Sequence, residues 1–256
     1  MTEASAGHAE RRGAALVTGG AKRIGRAICL ELAAAGFDVA IHHRDSEDAA
    51  ARLADEITAL GRRAVCLSAD LADAGTTRAL IGRAVEALGP LSVLVNNASV
   101  FADDRLESLT GESWASHMEV NLHAPILLAQ AFAAQAPDGS AIINILDQRV
   151  LKPDPRFFSY GLSKSALWVA TRTMAQALAP RIRVNGVGPG PTLPSVHQAA
   201  GEFEAEARAT PLQRAGSPEA IADAVRWLVD AGQVTGQMIA VDGGQHLAWQ
   251  TPDIVE

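Results

Sequence analysis

The chain has 256 residues, with 22 Lys and Arg against 29 Asp and Glu, which gives a formal net charge of −7. This length fits one large α/β domain or two small ones. The acidic balance argues against nucleic acid as a partner, because phosphate binding needs clustered basic side chains. No stretch reaches the roughly 20 apolar residues of a membrane-spanning helix, and Cys29 and Cys66 fall in helix and strand patterns. We therefore expect a cytoplasmic protein with reduced thiols and no membrane partner.

Short apolar runs alternate with longer Ala-rich amphipathic stretches along the chain. The runs cover residues 14–18, 39–43, 64–68, 91–96, 141–146, 182–187 and 238–241. Most of them are rich in Val, Ile and Leu without polar alternation, as strands buried on both faces are. Helical patterns lie between them, for example over residues 23–35, 47–60, 114–135 and 160–178. This alternation predicts an α/β fold, a doubly wound Rossmann-type domain with a seven-stranded parallel sheet.

The N-terminal end of the chain and one late segment depart from this alternation. Residues 1–12 are polar and predict a flexible tail, so that residues 13–256 form the single domain. Residues 189–208 leave a strand through Pro-rich turns, and the charged residues 202–208 are typical of a solvated helix face. Because long irregular segments commonly cover a site, we expect 189–208 to lie over the substrate.

A glycine-rich turn follows the first predicted strand and reads TGGAKRIG from Thr18 to Gly25. In such a turn, backbone N–H groups approach a pyrophosphate at a helix N-terminus, where the helix dipole favours negative charge. A tight turn that needs glycine only for its backbone angles is the alternative. The position after the first strand favours a dinucleotide. We expect it to be bound by Gly19, Lys22, Arg23, Ile24 and Gly25, with Arg23 as an added cation near the phosphates.

The second predicted strand ends at His43 and Arg44, which Asp45 and Ser46 follow. Enzymes that use NAD place an acidic residue near this point to bind the ribose 2′-hydroxyl. Arg44 can instead form a bidentate pair with a 2′-phosphate, which a carboxylate at position 43 would repel. We therefore predict NADPH as the cofactor, bound here by His43, Arg44 and Ser46. The alternative is a solvated Arg44, with Asp45 on the ribose.

Tyr160 is the only tyrosine of the chain, and Lys164 follows it on the same face of a predicted helix. A nearby ammonium lowers the pKa of a tyrosine from about 10 toward working pH, which makes the phenol a usable general acid. Asp147 ends an apolar strand thirteen residues upstream, where side chains of a parallel sheet face the ligand crevice. The three residues predict a catalytic site. A surface Tyr/Lys pair and a loop-capping Asp are the structural alternatives.

Further motifs follow in chain order. They are Asp70, Asn96-Asn97-Ala98-Ser99, Asn121, and residues 183–190 and 241–244. With the glycine turn and the Tyr/Lys pair, they resemble the short-chain dehydrogenase/reductase family over residues 13–247. The resemblance implies a homotetramer, and Asn121 at a helix irregularity, holding a water that feeds a proton relay to Lys164. It also implies cofactor contacts from Asp70 (to adenine), Leu71, Asn97, Ala98, Ser99, Tyr160, Lys164, Pro189 and Gly190.

Three departures from the family pattern point to a subgroup. Most members carry Ser at Asp147 and Gly at Arg23 and Ser99. Arg in the phosphate turn, Asn-Ala-Ser followed by Phe101, and Asp paired with Tyr are similar to pteridine reductases and bacterial dihydromonapterin reductases. The resemblance implies a pterin held between the nicotinamide and Phe101, with Arg23 and Ser99 at its polar edge. A hydrophobic loop anchor is the alternative role of Phe101.

The sequence thus predicts NADPH-dependent reduction of a dihydropterin or dihydrofolate to its tetrahydro form. A C=N bond needs a proton on nitrogen as hydride arrives, so we expect Asp147 to supply it through Tyr160, while Lys164 grips the ribose. A carbonyl reductase and a non-catalytic NADPH-binding sensor are the alternatives, although the Tyr/Lys pair speaks against the sensor. Since no His-x-x-x-His or Cys/His cluster occurs, we predict no metal.

Overall fold

The computed structural model describes residues 11–194 and 201–249. Seven strands lie in these residues: β1 Ala14–Val17, β2 Asp38–His43, β3 Ala64–Ser68, β4 Leu91–Asn96, β5 Ser140–Ile145, β6 Ile182–Pro189 and β7 Met238–Val241. They form one parallel sheet in the order β3-β2-β1-β4-β5-β6-β7. The predicted doubly wound sheet is confirmed, because the strand order reverses its direction between β1 and β4.

Helices cover both faces of the sheet. They are α1 Arg23–Ala34, α2 Glu47–Ala59, α3 Ala74–Leu88, α4 Gly111–Met118, α5 Ala124–Gln135, α6 Phe158–Leu178, α7 Glu202–Arg208 and α8 Pro218–Asp230. One core packs α1, α2 and α8 against side chains such as Val17, and the other packs α3, α5 and α6 against side chains such as Leu16. Adjacent strand residues therefore enter opposite cores, which explains the unbroken apolar runs.

The predicted helix over residues 114–135 is interrupted in the structure. A π-helical turn, Glu119–His123, separates α4 from α5 and contains Asn121. The extra residue of such a turn rotates the helix that follows by about 100°, but α5 is apolar around most of its circumference, so periodicity does not reveal the change. The turn is the helix irregularity that the family resemblance implies for Asn121.

The last two residues of the predicted tail contact the domain. Arg11 Nε and Arg63 Nε each donate to Asp38 Oδ2 at 2.9 Å, and Arg12 pairs with Asp230. Burial by itself would raise the pKa of the Asp38 carboxyl. The hydrogen bonds from Arg63 and the charges of Arg63 and Arg11 together lower this pKa by more, so the net shift is downward. Residues 1–10 lie outside the described residues, and their flexibility stays a prediction.

The segment predicted to cover the substrate begins where β6 ends. Arg23 of the glycine turn donates to the Leu193 carbonyl at 3.3 Å, so the start of this segment contacts the predicted phosphate loop. Residues 195–200 lie outside the described residues, and Glu202–Arg208 forms α7. The predicted helix at 202–208 is therefore present.

The described parts of the chain contain neither a membrane-spanning helix nor a metal-binding cluster. No helix there is long and apolar enough to cross a membrane. The same residues contain no group of three His, Cys, Asp or Glu side chains that could hold a metal ion. Cys29 is buried, Cys66 is partly buried, and both are free thiols.

Gly19, after β1, and Gly25, in the first turn of α1, leave no room for larger residues. Gly19 has a φ of +60°, in the left-handed region that favours glycine. A Cβ atom on Gly25 would lie 2.2 Å from the Gly19 carbonyl oxygen and 2.7 Å from Asn97 Nδ2. By contrast, a Cβ atom on the exposed Gly82 of α3 would meet nothing within 4 Å.

Gly25 and Gly82 provide a matched test of the packing in the glycine turn. We expect Gly25→Ala to lower the free energy of unfolding by about 1–3 kcal/mol, because the backbone must move to admit the methyl group. Gly82→Ala should raise it by about 0.5–1 kcal/mol, since alanine loses less backbone freedom in a helix. Urea unfolding of both variants measures the two changes. A Gly25→Ala protein as stable as the parent would contradict the packing described here.

Candidate active site

The loops at the carboxyl ends of β1 and β4 are tied together where the strand order reverses. The hydroxyl of Thr18 accepts from the backbone N–H groups of Asn97 at 2.9 Å and Ala98 at 3.0 Å. In return, Asn97 Nδ2 donates to the carbonyls of Thr18 at 2.8 Å and Gly19 at 3.2 Å. These bonds make the glycine turn and the Asn97–Ala98 backbone one wall of the crevice in which doubly wound folds bind ligands.

His42 connects the glycine turn to the loop after β3. Gly19 N donates to His42 Nδ1 at 3.0 Å, and His42 Nε2 lies 3.1 Å from the Ala69 carbonyl. The first contact needs an unprotonated Nδ1, so the ring is neutral with its hydrogen on Nε2. Burial lowers the pKa of His42 to about 4, against a weaker opposing effect of the bond to Ala69. The sequence analysis did not assign His42 a role, and its position beside His43 was the only available signal.

The predicted cofactor residues at the end of β2 differ in exposure. Arg44 is exposed and pairs with Asp45 at 2.7 Å, so both candidates for the ribose lie together at the surface. His43 is buried, and its Nδ1 has no hydrogen-bond partner. Asp70 is exposed, and its Oδ1 accepts from Ala72 N at 2.9 Å. The remaining predicted cofactor residues lie at the same edge of the sheet, either after a strand end or, for Pro189, at the last position of β6: Lys22, Ile24, Ser46, Leu71, Pro189 and Gly190.

Tyr160, Lys164 and Asp147 come together as the sequence predicts. Tyr160 is 5% exposed, and its hydroxyl donates to Asp147 Oδ2 at 2.8 Å. Lys164 is 2% exposed; its Nζ donates to the Ile145 carbonyl at 2.9 Å and lies 5.8 Å from the centroid of the Tyr160 ring. Burial lowers the pKa of Lys164 to about 8, although Asp147 opposes this shift. A surface Tyr/Lys pair is therefore excluded.

The predicted lowering of the Tyr160 pKa is wrong for the protein alone. Burial raises the pKa of Tyr160 well above its ordinary value, and the charge of Asp147 raises it further. The error arose from considering only the Lys164 ammonium, which hydrogen-bonds a backbone carbonyl instead of the phenol. Tyr160 is thus held protonated and hydrogen-bonded to a carboxylate.

Asp147 caps a loop and also contacts the Tyr160 hydroxyl, so the capping contact does not exclude the predicted catalytic one. Its Oδ1 accepts from Arg149 N at 2.8 Å and caps a short 3₁₀ turn, while its Oδ2 accepts from Tyr160. The Arg149 guanidinium also lies 3.3 Å from Oδ2. Sequence analysis missed Arg149, and the Asp-x-Arg spacing in a loop is too common to single it out.

Aromatic side chains form a wall beside the hydrogen-bonded Tyr160 and Asp147. The rings of Phe101 and Phe157 stack with centroids 4.8 Å apart and planes at 21°. Phe101 also meets the Tyr160 ring edge-on at 4.8 Å. Phe101 is therefore anchored by Phe157, which the sequence analysis missed, and lies next to the phenol at the same time. The two roles considered for Phe101 are compatible.

Asn121 supports the loop that carries Ser99 and Phe101. Its Oδ1 accepts from Val100 N at 2.8 Å and from Ser99 Oγ at 3.1 Å. Its Nδ2 donates to the Val100 carbonyl at 2.9 Å and to Ser163 Oγ at 3.1 Å. The Asn121 side chain therefore holds the loop against α6, and its implied water relay to Lys164 stays a prediction. In the glycine turn, the predicted substrate-binding residue Arg23 is exposed and has a φ of +53°.

The chain is similar to known oxidoreductases over most of its length. A family model described as Enoyl-(Acyl carrier protein) reductase matches residues 19–246. A short-chain type dehydrogenase/reductase of Picea abies is 34% identical over 248 residues, which cover 90% of this chain and 91% of that protein. This chain belongs to the short-chain dehydrogenase/reductase family. The predicted family and its oxidoreductase class are confirmed.

Two solved structures are similar to this short-chain dehydrogenase/reductase over nearly its whole length. FolM alternative dihydrofolate reductase 1 from Brucella canis, complexed with NADP, has a TM-score of 0.92 and 47% identity, covering 97% of this chain and 100% of that one. The same enzyme from Brucella suis, also with NADP, has a TM-score of 0.91 and 49% identity, covering 95% and 99%. These similarities support the resemblance to the pteridine reductase subgroup.

His42 gives this reductase a specific dependence of stability on pH. Its folded pKa of about 4 lies below its ordinary value of 6.5, so the unfolded chain binds the proton first as the pH falls. The stabilisation is complete above pH 6.5 and is lost toward pH 4, by up to about 3 kcal/mol. Urea unfolding should therefore show a smaller loss between these pH values in His42→Leu than in the parent. His123→Leu, which alters a half-exposed histidine, is the control, and identical pH slopes in all three proteins would exclude this role.

Tyr160 can be titrated directly, because tyrosinate absorbance reports the only tyrosine of the chain. We expect the parent to titrate above the ordinary value of about 10. Asp147→Asn should lower the pKa of Tyr160, since it removes a negative charge that disfavours the phenolate. Asp138→Asn, at an exposed carboxylate paired with Arg181, should leave the titration unchanged. No shift in Asp147→Asn would show that the Asp147 charge does not act on the phenol.

Proposed function

We propose that this enzyme reduces a pteridine, a dihydropterin or dihydrofolate, to its tetrahydro form with NADPH. The observation that supports this most is the 2.8 Å hydrogen bond from Tyr160 to Asp147 beside the Phe101 ring. A carbonyl substrate needs only a neutral hydroxyl to hold its oxygen. A carboxylate coupled to the phenol instead suits a substrate nitrogen that must gain a proton.

The residues present fit NADPH. Glycine at position 25 lets the first turn of α1 pack against the Gly19 carbonyl, where a Cβ atom would clash, and the N-terminus of this helix favours the negative charge of the cofactor phosphates. Arg44 is exposed beside the buried, unpartnered Nδ1 of His43, and its guanidinium can pair with a 2′-phosphate. The NADP held by both Brucella enzymes supports the same cofactor. Bound NADPH supplies a hydride and becomes NADP⁺.

Tyr160 donates the proton to the substrate, and Asp147 delivers its replacement. As the carbon of the C=N bond gains the hydride, Tyr160 gives its hydroxyl proton to the ring nitrogen. Tyr160 then takes a proton through Asp147, so that the phenol is restored and one proton is consumed per hydride. The raised pKa of Tyr160 keeps this proton on the phenol until the nitrogen becomes basic. Lys164, which retains a pKa of about 8, is largely cationic at neutral pH and suited to hold the nicotinamide ribose.

The remaining assignments complete the proposal. Phe101 stacks on the pterin ring, and Arg23 and Ser99 bind its polar edge together with the cofactor phosphates. Asn121 serves the proton relay to Lys164 and holds the Ser99 loop. The homotetramer and the cytoplasmic location stay predictions.

The experiment is NADPH oxidation by the purified enzyme with a dihydropterin, dihydrofolate and a simple ketone in parallel. We expect turnover of the pteridines, and Tyr160→Phe should abolish it with NADPH affinity nearly unchanged. Asp147→Ser should lower pteridine turnover by about 10²-fold or more, as loss of an acid–base group does, and ketone turnover far less. Turnover of the ketone alone would favour the carbonyl reductase, and NADPH binding without any turnover would favour the sensor.

A further inference from the structure

Arg149 is the cation nearest to the coupled carboxylate and phenol. Its side chain is 15% exposed, and Nη1 lies 3.4 Å from Asp147 Oδ1 and 3.3 Å from Oδ2. Its Nε is buried without a hydrogen-bond partner, and Asp154 Oδ2 lies 3.9 Å away. The guanidinium thus lies between two carboxylates and contacts both oxygens of Asp147.

Two aromatic rings and one further carboxylate hold Arg149 in this place. Its Cζ lies 4.7 Å from the centroid of the Phe157 ring and 5.8 Å from that of Phe101, within the range of cation–π contact. Its Nη2 lies 4.0 Å from Glu206 Oε1 in α7, which also accepts from Gln245 Nε2 at 2.9 Å. Aromatic and acidic groups from three separate segments therefore confine the guanidinium.

The Asp147 carboxylate needs this confinement. It is 8% exposed, and a buried carboxylate is unfavourable unless a cation and hydrogen-bond donors compensate its charge. A planar guanidinium, held by aromatic rings and by Glu206, also limits rotation of the Asp147 carboxylate. A flexible ammonium does this less well. Without such a partner, Asp147 would be free to turn away from the phenol.

We propose that Arg149 is a positioning residue of the reduction, which holds Asp147 against the Tyr160 hydroxyl and compensates its charge. This role rests on the proposed function, because it acts through the proton path assigned there. Arg149 itself need not touch the substrate. Its link to Glu206 further ties the orientation of the carboxylate to α7, in the segment expected to cover the substrate.

A double-mutant cycle tests this role. Arg149→Gln should lower kcat with a dihydropterin about ten-fold and leave the Kd of NADPH within about two-fold. Arg149→Lys should recover only part of kcat, because it retains the positive charge but not the planar guanidinium. In an Asp147→Asn background, adding Arg149→Gln should cost less than about two-fold, since residues that act through one another are not additive.

Arg156→Gln is the matched control. Arg156 also lies over the Phe157 ring, at 5.8 Å, and pairs with Asp154 at 2.7 Å, but no contact joins it to Asp147. Its removal should leave kcat unchanged, whereas an equal loss in Arg156→Gln and Arg149→Gln would reduce both to a structural role. Thermal unfolding of every variant checks that the fold is retained. If Arg149→Gln does not fold, the cycle is run with Arg149→Lys, whose smaller loss of kcat should likewise vanish in the Asp147→Asn background.

The outcomes separate the two proposals. If the parent enzyme does not turn over a dihydropterin, the proposed function fails. If the parent turns it over and Asp147→Asn keeps the parent rate, the proton path through Asp147 is overturned, and the role of Arg149 with it. If Asp147→Asn is slow while the Arg149 variants keep the parent kcat, only the role of Arg149 is overturned. Losses that multiply independently in the double variant would also overturn it, because Arg149 would then act by another route.

Discussion

Burial of the Asp147 carboxylate is the constraint on which the rest of the site depends. The carboxylate stands at the end of β5, where the sheet and α6 exclude most water. An ionised group in that position needs donors, and it receives them from the Tyr160 hydroxyl, the Arg149 backbone and the Arg149 guanidinium. The same three contacts orient the phenol, begin the 3₁₀ turn and place a cation beside the aromatic wall. Satisfying one buried charge therefore organises much of the active site.

Neutral polar groups, by contrast, hold the predicted cofactor side of the crevice. Thr18, Asn97 and His42 tie the glycine turn to its neighbouring loops through hydrogen bonds, and none of these side chains is charged. Uncharged ties suit a wall that faces cofactor phosphates, because they add no repulsion and need no counter-ion. The neutral state of His42 is imposed by its burial and by the two hydrogen bonds that its ring makes.

An Asp147 carboxylate, where most members of the family carry a Ser hydroxyl, has consequences beyond the proposed proton path. A carboxylate beside Tyr160 keeps the phenol protonated, and it calls for the compensating charge of Arg149. That charge in turn attracts Asp154 and Glu206, so one substitution at a strand end is linked to the loop before α6 and to α7. A carbonyl reductase with a neutral hydroxyl at this position has no such need for a guanidinium. The charge network is thus a structural correlate of the proposed substrate class.

The sequence by itself determined the sheet, the strand-end loops and the Tyr160, Lys164 and Asp147 trio. Each depends on local pattern: unbroken apolar runs for strands buried on both faces, glycines at a turn, and i,i+4 spacing on a helix. Only the tertiary structure decided the direction of the Tyr160 pKa and the contacts made by His42, Phe157 and Arg149. Those features arise from burial and from contacts between segments far apart in the chain, such as Arg149 with Glu206. No spacing rule encodes them, because the energy of a charge depends on everything packed around it.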